Sequence, residues 1–279
     1  MKNKLTPVLR IIVCMLMVFS IIGTCGVIIA DRVYTSEYLR SQVGRTDTYE
    51  NAYNSLMKRF SDNYSISNIP IEVYESSFTS DWMKSAVDEK INSFFEKREA
   101  EIDCSEAEKN ITEYFESYAH EAHVIKDETY EKKLDEAITY AQKTALEQAD
   151  VYSLAVMERA GISAKVSAFA ALARKYMWVC IAAVAVLGLA LILLKRSLYW
   201  IGTALFASGM IMAIPTVIFK AEGLINKFSL KDYTTYTLVT GTMDSLATVV
   251  MMTGIIMLAV GVVMIATHLI MQNRSKSAA

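Results

Sequence analysis

The sequence has 279 residues, of which 53% are hydrophobic and 21% are charged, and its formal net charge is −2. Only 11 Gly, 3 Pro and 4 Cys are present, which excludes a disordered chain, a collagen-like chain and a small domain held together by disulfides. Long uncharged segments alternate with one stretch of about 140 residues that is rich in Glu, Lys, Asp and Tyr. This pattern predicts an all-α integral membrane protein with one sizeable water-facing domain.

Four uncharged segments are each long enough to cross a hydrocarbon core of about 30 Å as a helix. We predict transmembrane helices at 11–30, 176–194, 197–219 and 245–271. Because only Lys195 and Arg196 separate the second helix from the third, these two helices must form a hairpin. The other predicted segments are an N-terminus at 1–10, a helical domain at 31–175, a turn at 195–196, a loop at 220–244 and a tail at 272–279.

The distribution of charge predicts the orientation in the membrane, because short loops rich in Lys and Arg stay in the cytoplasm. The N-terminus, the turn at 195–196 and the tail hold basic residues and no acidic residue. All 30 acidic residues lie instead in 31–175 and 220–244. We therefore expect both termini in the cytoplasm and a helical extracytoplasmic domain inserted between the first and second spans.

The first span is predicted to be an uncleaved anchor. The alternatives are a cleaved signal peptide and lipidation of Cys25, since the residues before this cysteine approximate a bacterial lipobox. Of the four cysteines, only Cys104 lies in the helical domain. A domain made in an animal secretory pathway more often carries paired cysteines, so we expect a bacterial plasma membrane.

Within 31–175, apolar residues recur at helical spacing and no alternating strand pattern appears. Residues 61–70 are predicted to form a loop, and Ser105 with Glu108 forms a candidate capping box at a helix start. From Tyr130 to Ala155 the spacing alternates between four and three, as in a narrow helix-packing seam. We expect this last helix to continue into the second span as a nearly continuous rod that bends at Gly161.

Eleven of the 15 Tyr residues lie in this domain. Tyr at helical spacing is typical of an amphipathic core, and a ligand site is the alternative interpretation. Residues 31–175 contain 18 basic and 27 acidic residues, a formal charge of −9. Such an acidic balance argues against nucleic acid or anionic lipid as a partner.

One polar cluster has the composition of a metal site. Its four residues follow one another at steps of four, three and four, which places them on one face if a single helix carries them. They are Glu116, His120, His123 and Asp127. Imidazole and carboxylate groups are ligands for Zn²⁺, although two His at i and i+3 differ from the i, i+4 pattern of metalloproteases. The sequence thus suggests a candidate zinc site, with an ordinary exposed polar face as the alternative.

Other catalytic signatures are absent from the sequence: there is no phosphate-binding Gly-rich loop, no Gly-x-Ser-x-Gly motif and no Cys pair at metal spacing. The predicted spans hold no Asp, Glu, Lys or Arg, which disfavours transport. They do hold small residues that permit close helix packing, such as Gly202, Gly209, Gly254 and Gly261.

We therefore expect a non-enzymatic, cofactor-free protein of the lipid bilayer whose outer domain mediates protein interaction, sensing or scaffolding, as an accessory subunit of a membrane complex. The expected partner is another membrane or extracytoplasmic protein, or a second copy of the chain. The alternatives are a transition-metal-binding sensor or hydrolase that uses the Glu116, His120, His123 and Asp127 cluster, and a small-molecule transporter.

Overall fold

The computed structural model describes residues 5–64, 68–194, 197–227 and 233–277. These residues form helices and connecting segments, with no β-strand among them. In chain order the helices are α1 (Leu5–Val33), α2 (Ser36–Arg45), α3 (Thr48–Asp62), α4 (Ile71–Ser77), α5 (Ser80–Glu96), α6 (Ser105–Glu121), α7 (Glu128–Ala149), α8 (Leu154–Arg159), α9 (Ile162–Leu193), α10 (Ser197–Ala221), a 3₁₀ turn (Leu224–Lys227) and α11 (Tyr233–Ser277).

Four helices are long and apolar enough to cross a membrane, as the sequence predicts. Their candidate spans are Pro7–Val33, Ser167–Leu193, Ser197–Ala221 and Tyr233–Arg274. Each candidate span extends beyond the predicted one at one end or at both ends, because the helix continues into neighbouring residues that include charged ones. The predicted turn at Lys195 and Arg196 lies outside the described residues, as do Lys2, Lys4 and Asp232.

The chain divides into two compact units. The membrane unit comprises Met1–Tyr34, Ala164–Phe228 and Thr242–Ala279, and the helical domain comprises Thr35–Ser163 and Ser229–Gly241. The helical domain is thus an insertion between the first two membrane-compatible helices, completed by the first turns of α11.

In the membrane unit, polar contacts join α1 to the end of α9 and to its middle. The Arg10 guanidinium donates hydrogen bonds to the carbonyl oxygen of Leu194, with its Nε at 2.8 Å. Farther along α1, the Asp31 carboxylate accepts a hydrogen bond from Arg174 Nε at 2.9 Å. Arg10 and Asp31 are 21 positions apart, so at 1.5 Å per residue these contacts are separated by about 31 Å. This separation matches the thickness of a bilayer's hydrocarbon core, about 30 Å.

The same unit packs α10 and α11 antiparallel at very close range. A Cβ atom built on Gly202 would lie 3.0 Å from the Gly261 carbonyl oxygen, and one built on Gly209 would lie 2.6 Å from that of Gly254. Small residues of this kind let two backbones approach closely in a membrane. Beyond this seam, Lys220 forms an ion pair with Asp244 at 2.8 Å.

The helical domain has one continuous hydrophobic core. At its centre the rings of Phe60 and Tyr74 stack with centroids 4.0 Å apart, which joins α3 to α4. The face of α7 that was predicted as a packing seam is buried at Ala141 and Ala145. The fully buried Leu238 of α11 belongs to the same core. Part of the predicted loop 220–244 is therefore helical instead, because Leu238 in the first turns of α11 has a core to pack against.

The predicted rod from Tyr130 to Gly161 is wrong, whereas the break at Gly161 and the direct continuation of the following residues into the second span are confirmed, since α9 is one helix from Ile162 to Leu193. Helix α7 ends at Ala149, α8 is a separate short helix, and α9 starts only at Ile162. Ser153 is the N-cap residue of α8, and the Asp150 carboxylate accepts hydrogen bonds from the backbone N–H groups of Leu154 and Ala155, at 2.6 and 3.0 Å, which satisfies two donors at the start of this helix. Ser153 and Gly161 have positive φ angles, which interrupt the helical backbone on either side of α8.

The predicted capping box is also wrong. Ser105 is the first residue of α6 and Cys104 occupies the cap position, where no side-chain capping hydrogen bond forms. The Asp103 carboxylate instead accepts a hydrogen bond from the Ser105 backbone N–H at 2.9 Å. Hydrogen bonds from the backbone N–H and from the side chain of Ser105 lower the pKa of Asp103.

We expect Gly209→Ala to destabilise the membrane unit, by about 1–3 kcal/mol, because the added methyl group meets backbone atoms of α11 that must move away. Gly188→Ala is the matched control, since a Cβ at Gly188 meets nothing within 4 Å. Thermal unfolding of the detergent-purified protein, followed by size-exclusion chromatography, measures the difference. Equal melting temperatures for the two variants would contradict the close approach of α10 and α11.

Candidate binding site in the helical domain

A half-open cavity of about 500 Å³ lies among α4, α6, α7 and the segment between α3 and α4. Five of its eleven lining residues are aromatic, four more are Asn, Lys or Glu, and the remaining two are aliphatic. The lining residues are Asn63, Asn68, Ile69, Tyr74, Tyr114, Phe115, Tyr118, Lys133, Glu136, Ala137 and Tyr140. A concave site of about 300–1,000 Å³ with an apolar wall and a few convergent polar groups is typical of small-molecule binding.

One wall of the cavity includes Asn68 and Tyr74. Asn68 has a φ angle of 58°, in the left-handed region where Asn is one of the better tolerated residues. Its carbonyl oxygen accepts a hydrogen bond from the Tyr114 hydroxyl at 2.9 Å. Beside it Tyr74 is held by its stacking on Phe60. These two contacts hold the rings of Tyr74 and Tyr114 in place.

The opposite wall belongs to α7. The Asp127 carboxylate begins this helix by accepting a hydrogen bond from the Tyr130 backbone N–H at 2.9 Å. Lys133, Glu136 and Tyr140 then follow at spacings of three and four, so their side chains leave the helix on one side. One side of α7 therefore lines the cavity.

The hydroxyl groups in the cavity differ in their environment. Partial burial raises the pKa of Tyr114, and the neighbouring Tyr64 and Tyr118 raise it further. The Tyr118 side chain is 51% exposed at the cavity edge. Tyr114 thus stays neutral at physiological pH, and its hydroxyl donates a hydrogen bond to the Asn68 carbonyl oxygen. Tyr118 also lines the cavity but is half exposed to solvent.

The predicted metal-ligand residues do not share one helix. Helix α6 carries Glu116 and His120 but ends at Glu121, and His123 has a positive φ of 53° in the following turn. Asp127 is the cap of α7. The Glu116 carboxylate lies 3.5 Å from the Lys126 ammonium. The assumption that a single helix face presents all four side chains is therefore wrong.

Across the described ranges, no group of three or more His, Cys, Asp or Glu side chains is arranged to hold a metal ion. Glu116, His120, His123 and Asp127 are all exposed at the end of the α6–α7 hairpin. Metal binding by this cluster stays a prediction, and it would have to draw the four residues together from a helix, a turn and a helix cap.

A second, acidic cleft lies beside α5 and is lined by Asp81, Glu89, Glu101 and Asp103, with Trp82. Its central carboxylate, Glu89, accepts hydrogen bonds from the Arg98 guanidinium and from the Glu101 backbone N–H. The Arg98 hydrogen bonds lower the pKa of Glu89. These contacts organise the loop after α5, so we interpret this cleft as structural.

Sequence reasoning interpreted the tyrosines of the cavity as core. Tyr74, Tyr114, Tyr118 and Tyr140 come from three helices, and only the tertiary fold brings them to one surface. The high number of Tyr residues in this part of the chain is the sequence feature that could have indicated such a site.

Comparison with known proteins adds no further assignment. No family model matches this sequence, and no curated protein or solved structure matches it either.

The zinc hypothesis predicts that Zn²⁺ raises the melting temperature of the chelator-treated full-length protein, because a ligand bound only to the folded state stabilises it. His120→Ala combined with His123→Ala removes both imidazoles and should abolish the increase, while the melting temperature without metal stays unchanged because both side chains are exposed. Differential scanning fluorimetry measures both. If the wild-type protein melts at the same temperature with and without Zn²⁺, the hypothesis is wrong.

Proposed function

We propose that this chain is a non-enzymatic, multi-pass protein of a bacterial plasma membrane whose helical domain lies outside the cytoplasm and recognises an extracytoplasmic component. The observation that carries the proposal is the aromatic cavity of the helical domain, with its ring faces and mixed polar groups. The membrane unit supports it by supplying four membrane-compatible helices that anchor this domain.

The charge distribution supports the orientation. Arg10 lies at the start of the first apolar span and Arg274 at the end of the fourth. The inserted domain carries most of the acidic residues. Basic residues next to spans favour the cytoplasmic side. The Arg10 hydrogen bonds to Leu194 place the start of α1 and the end of α9 together, as expected if both face the cytoplasm.

Recognition fits these features better than catalysis or transport. The cavity holds no His and no Cys, and its exposed carboxylate, Glu136, has no second acid beside it in the lining. An accessory role in a membrane complex, with another membrane or extracytoplasmic protein or a second copy as partner, belongs to the same proposal.

The orientation is tested by labelling with a membrane-impermeant maleimide in intact cells. In a background with all four native cysteines replaced by Ala, we expect Lys132→Cys to be labelled, because this exposed position lies on α7 of the helical domain. Asn273→Cys, an exposed position near the end of α11, should be labelled only after permeabilisation. The reverse pattern would place the helical domain in the cytoplasm.

Recognition through the cavity is tested by purifying the tagged full-length protein gently from its native membrane and identifying bound proteins and glycans by mass spectrometry. We expect a component that is retained by the wild type and depleted about fivefold or more by Tyr118→Ala, which removes a ring from the cavity edge. Ile125→Ala is the control, since Ile125 is 80% exposed on the same hairpin but outside the lining. Equal recovery from all three proteins contradicts a binding role for the cavity.

A further inference from the structure

The cavity contains polar side chains that the fold itself does not use. Within the described part of the chain, the side-chain amides of Asn63 and Asn68 and the hydroxyls of Tyr118 and Tyr140 form no hydrogen bond, and Lys133 has no ion-pair partner. Glu136 lies 3.9 Å from Lys132, and both side chains are largely exposed. Exposed pairs of this kind contribute little, so the carboxylate remains available to a ligand.

The charge of the cavity disfavours an ionic ligand. Lys133 and Glu136 carry opposite charges on adjacent turns of α7, so the lining is neutral as a whole. An organic cation would meet the Lys133 ammonium. An anion would enter a domain that has 14 basic and 26 acidic residues between positions 35 and 163, a formal charge of −12. A neutral ligand is repelled neither by the Lys133 ammonium nor by the net negative charge of the domain.

The polar groups supply both donors and acceptors in several geometries. Each Asn amide donates and accepts, the Glu136 carboxylate accepts, and the Lys133 ammonium donates. Five aromatic side chains surround these groups, among them Tyr114 and Tyr118, whose rings are stacked with an interplanar angle of 27°. The ligand must therefore combine a flat apolar face with a rim of neutral hydrogen-bonding groups.

A pyranose ring has this combination, because its axial C–H bonds form an apolar face and its hydroxyls each donate and accept. We propose that the cavity binds a neutral saccharide, with the sugar face against the ring of Tyr118 and the hydroxyls toward Asn63, Asn68, Lys133 and Glu136. The cavity of about 500 Å³ is large enough for a mono- or disaccharide. The inference rests on the proposed function only in taking this cavity as a binding surface.

The test uses the full-length protein purified in detergent and saturation-transfer NMR with N,N′-diacetylchitobiose, cellobiose and maltose as probes. We expect at least one of these sugars to bind, with about fivefold lower affinity for Tyr118→Ala, the effect of losing one aromatic contact. Tyr118→Phe keeps the ring and should bind within about twofold of the wild type. Ile125→Ala should bind as the wild type does.

Two further probes separate the saccharide from other ligands. Choline tests for an organic cation, and benzoate tests for an aromatic anion. Binding of either one in place of the sugars overturns the proposal, as does the failure of all three sugars or equal sugar affinity in Tyr118→Ala. Circular dichroism of each variant verifies that the helices are intact, and Glu136→Gln, which keeps the side-chain shape at an exposed position, gives a second measure of cavity binding if Tyr118→Ala does not fold.

The two proposals fail in different ways. If no sugar binds but a native component is lost from Tyr118→Ala on purification, the cavity is a binding site for another class of ligand. If a sugar binds but Lys132→Cys is not labelled from outside, the saccharide site stands and the proposed orientation is wrong.

Discussion

The membrane unit is governed by one constraint: a backbone in hydrocarbon must satisfy its own hydrogen bonds, so each crossing segment is a complete helix. Polar contacts therefore appear where the apolar segments end. Arg10 donates to the carbonyl oxygen of Leu194 just after α9, and Asp31 pairs with Arg174 about one hydrocarbon thickness away. Between these contacts, α1 meets α10 through the hydrogen bonds from Ser208 Oγ to the Val18 carbonyl oxygen at 3.4 Å and from Cys14 Sγ to the Trp200 carbonyl oxygen at 3.5 Å. The glycines of α10 and α11 bring those two helices into close backbone contact.

The helical domain follows a different rule, because water satisfies its exposed backbone and the hydrophobic effect drives its packing. Its core is complete around Phe60, Tyr74 and Ile111, all of which are almost fully buried. The cavity lies beside this core, where aromatic side chains of α4, α6 and α7 line an opening of about 500 Å³. Two of these rings are held by contacts within the domain, Tyr114 by its hydrogen bond to the Asn68 carbonyl oxygen and Tyr74 by stacking on Phe60.

Several local features were predictable because they depend on composition and spacing alone. Uncharged length determines the four membrane-compatible helices, and helical spacing determines the buried faces of α3, α5 and α7. The breaks between helices were less predictable. Asp150 is the C-cap residue of α7, and its carboxylate accepts hydrogen bonds from the first two N–H groups of α8. The positive φ of Ser153 could not be predicted, because Ser is common both inside helices and in turns.

The sequence by itself determined that the chain is all-helical, where its membrane-compatible segments lie and which faces of its helices are apolar, since these properties are set by residues that are near one another along the chain. Only the tertiary structure decided that Tyr74, Tyr118 and Tyr140 meet around one cavity and that the candidate metal ligands are divided between α6, a turn and the cap of α7. The physical reason is that the cavity depends on how three helices distant in the sequence pack against one another, and the separation of the candidate ligands depends on where α6 ends and where the Asp127 carboxylate caps α7.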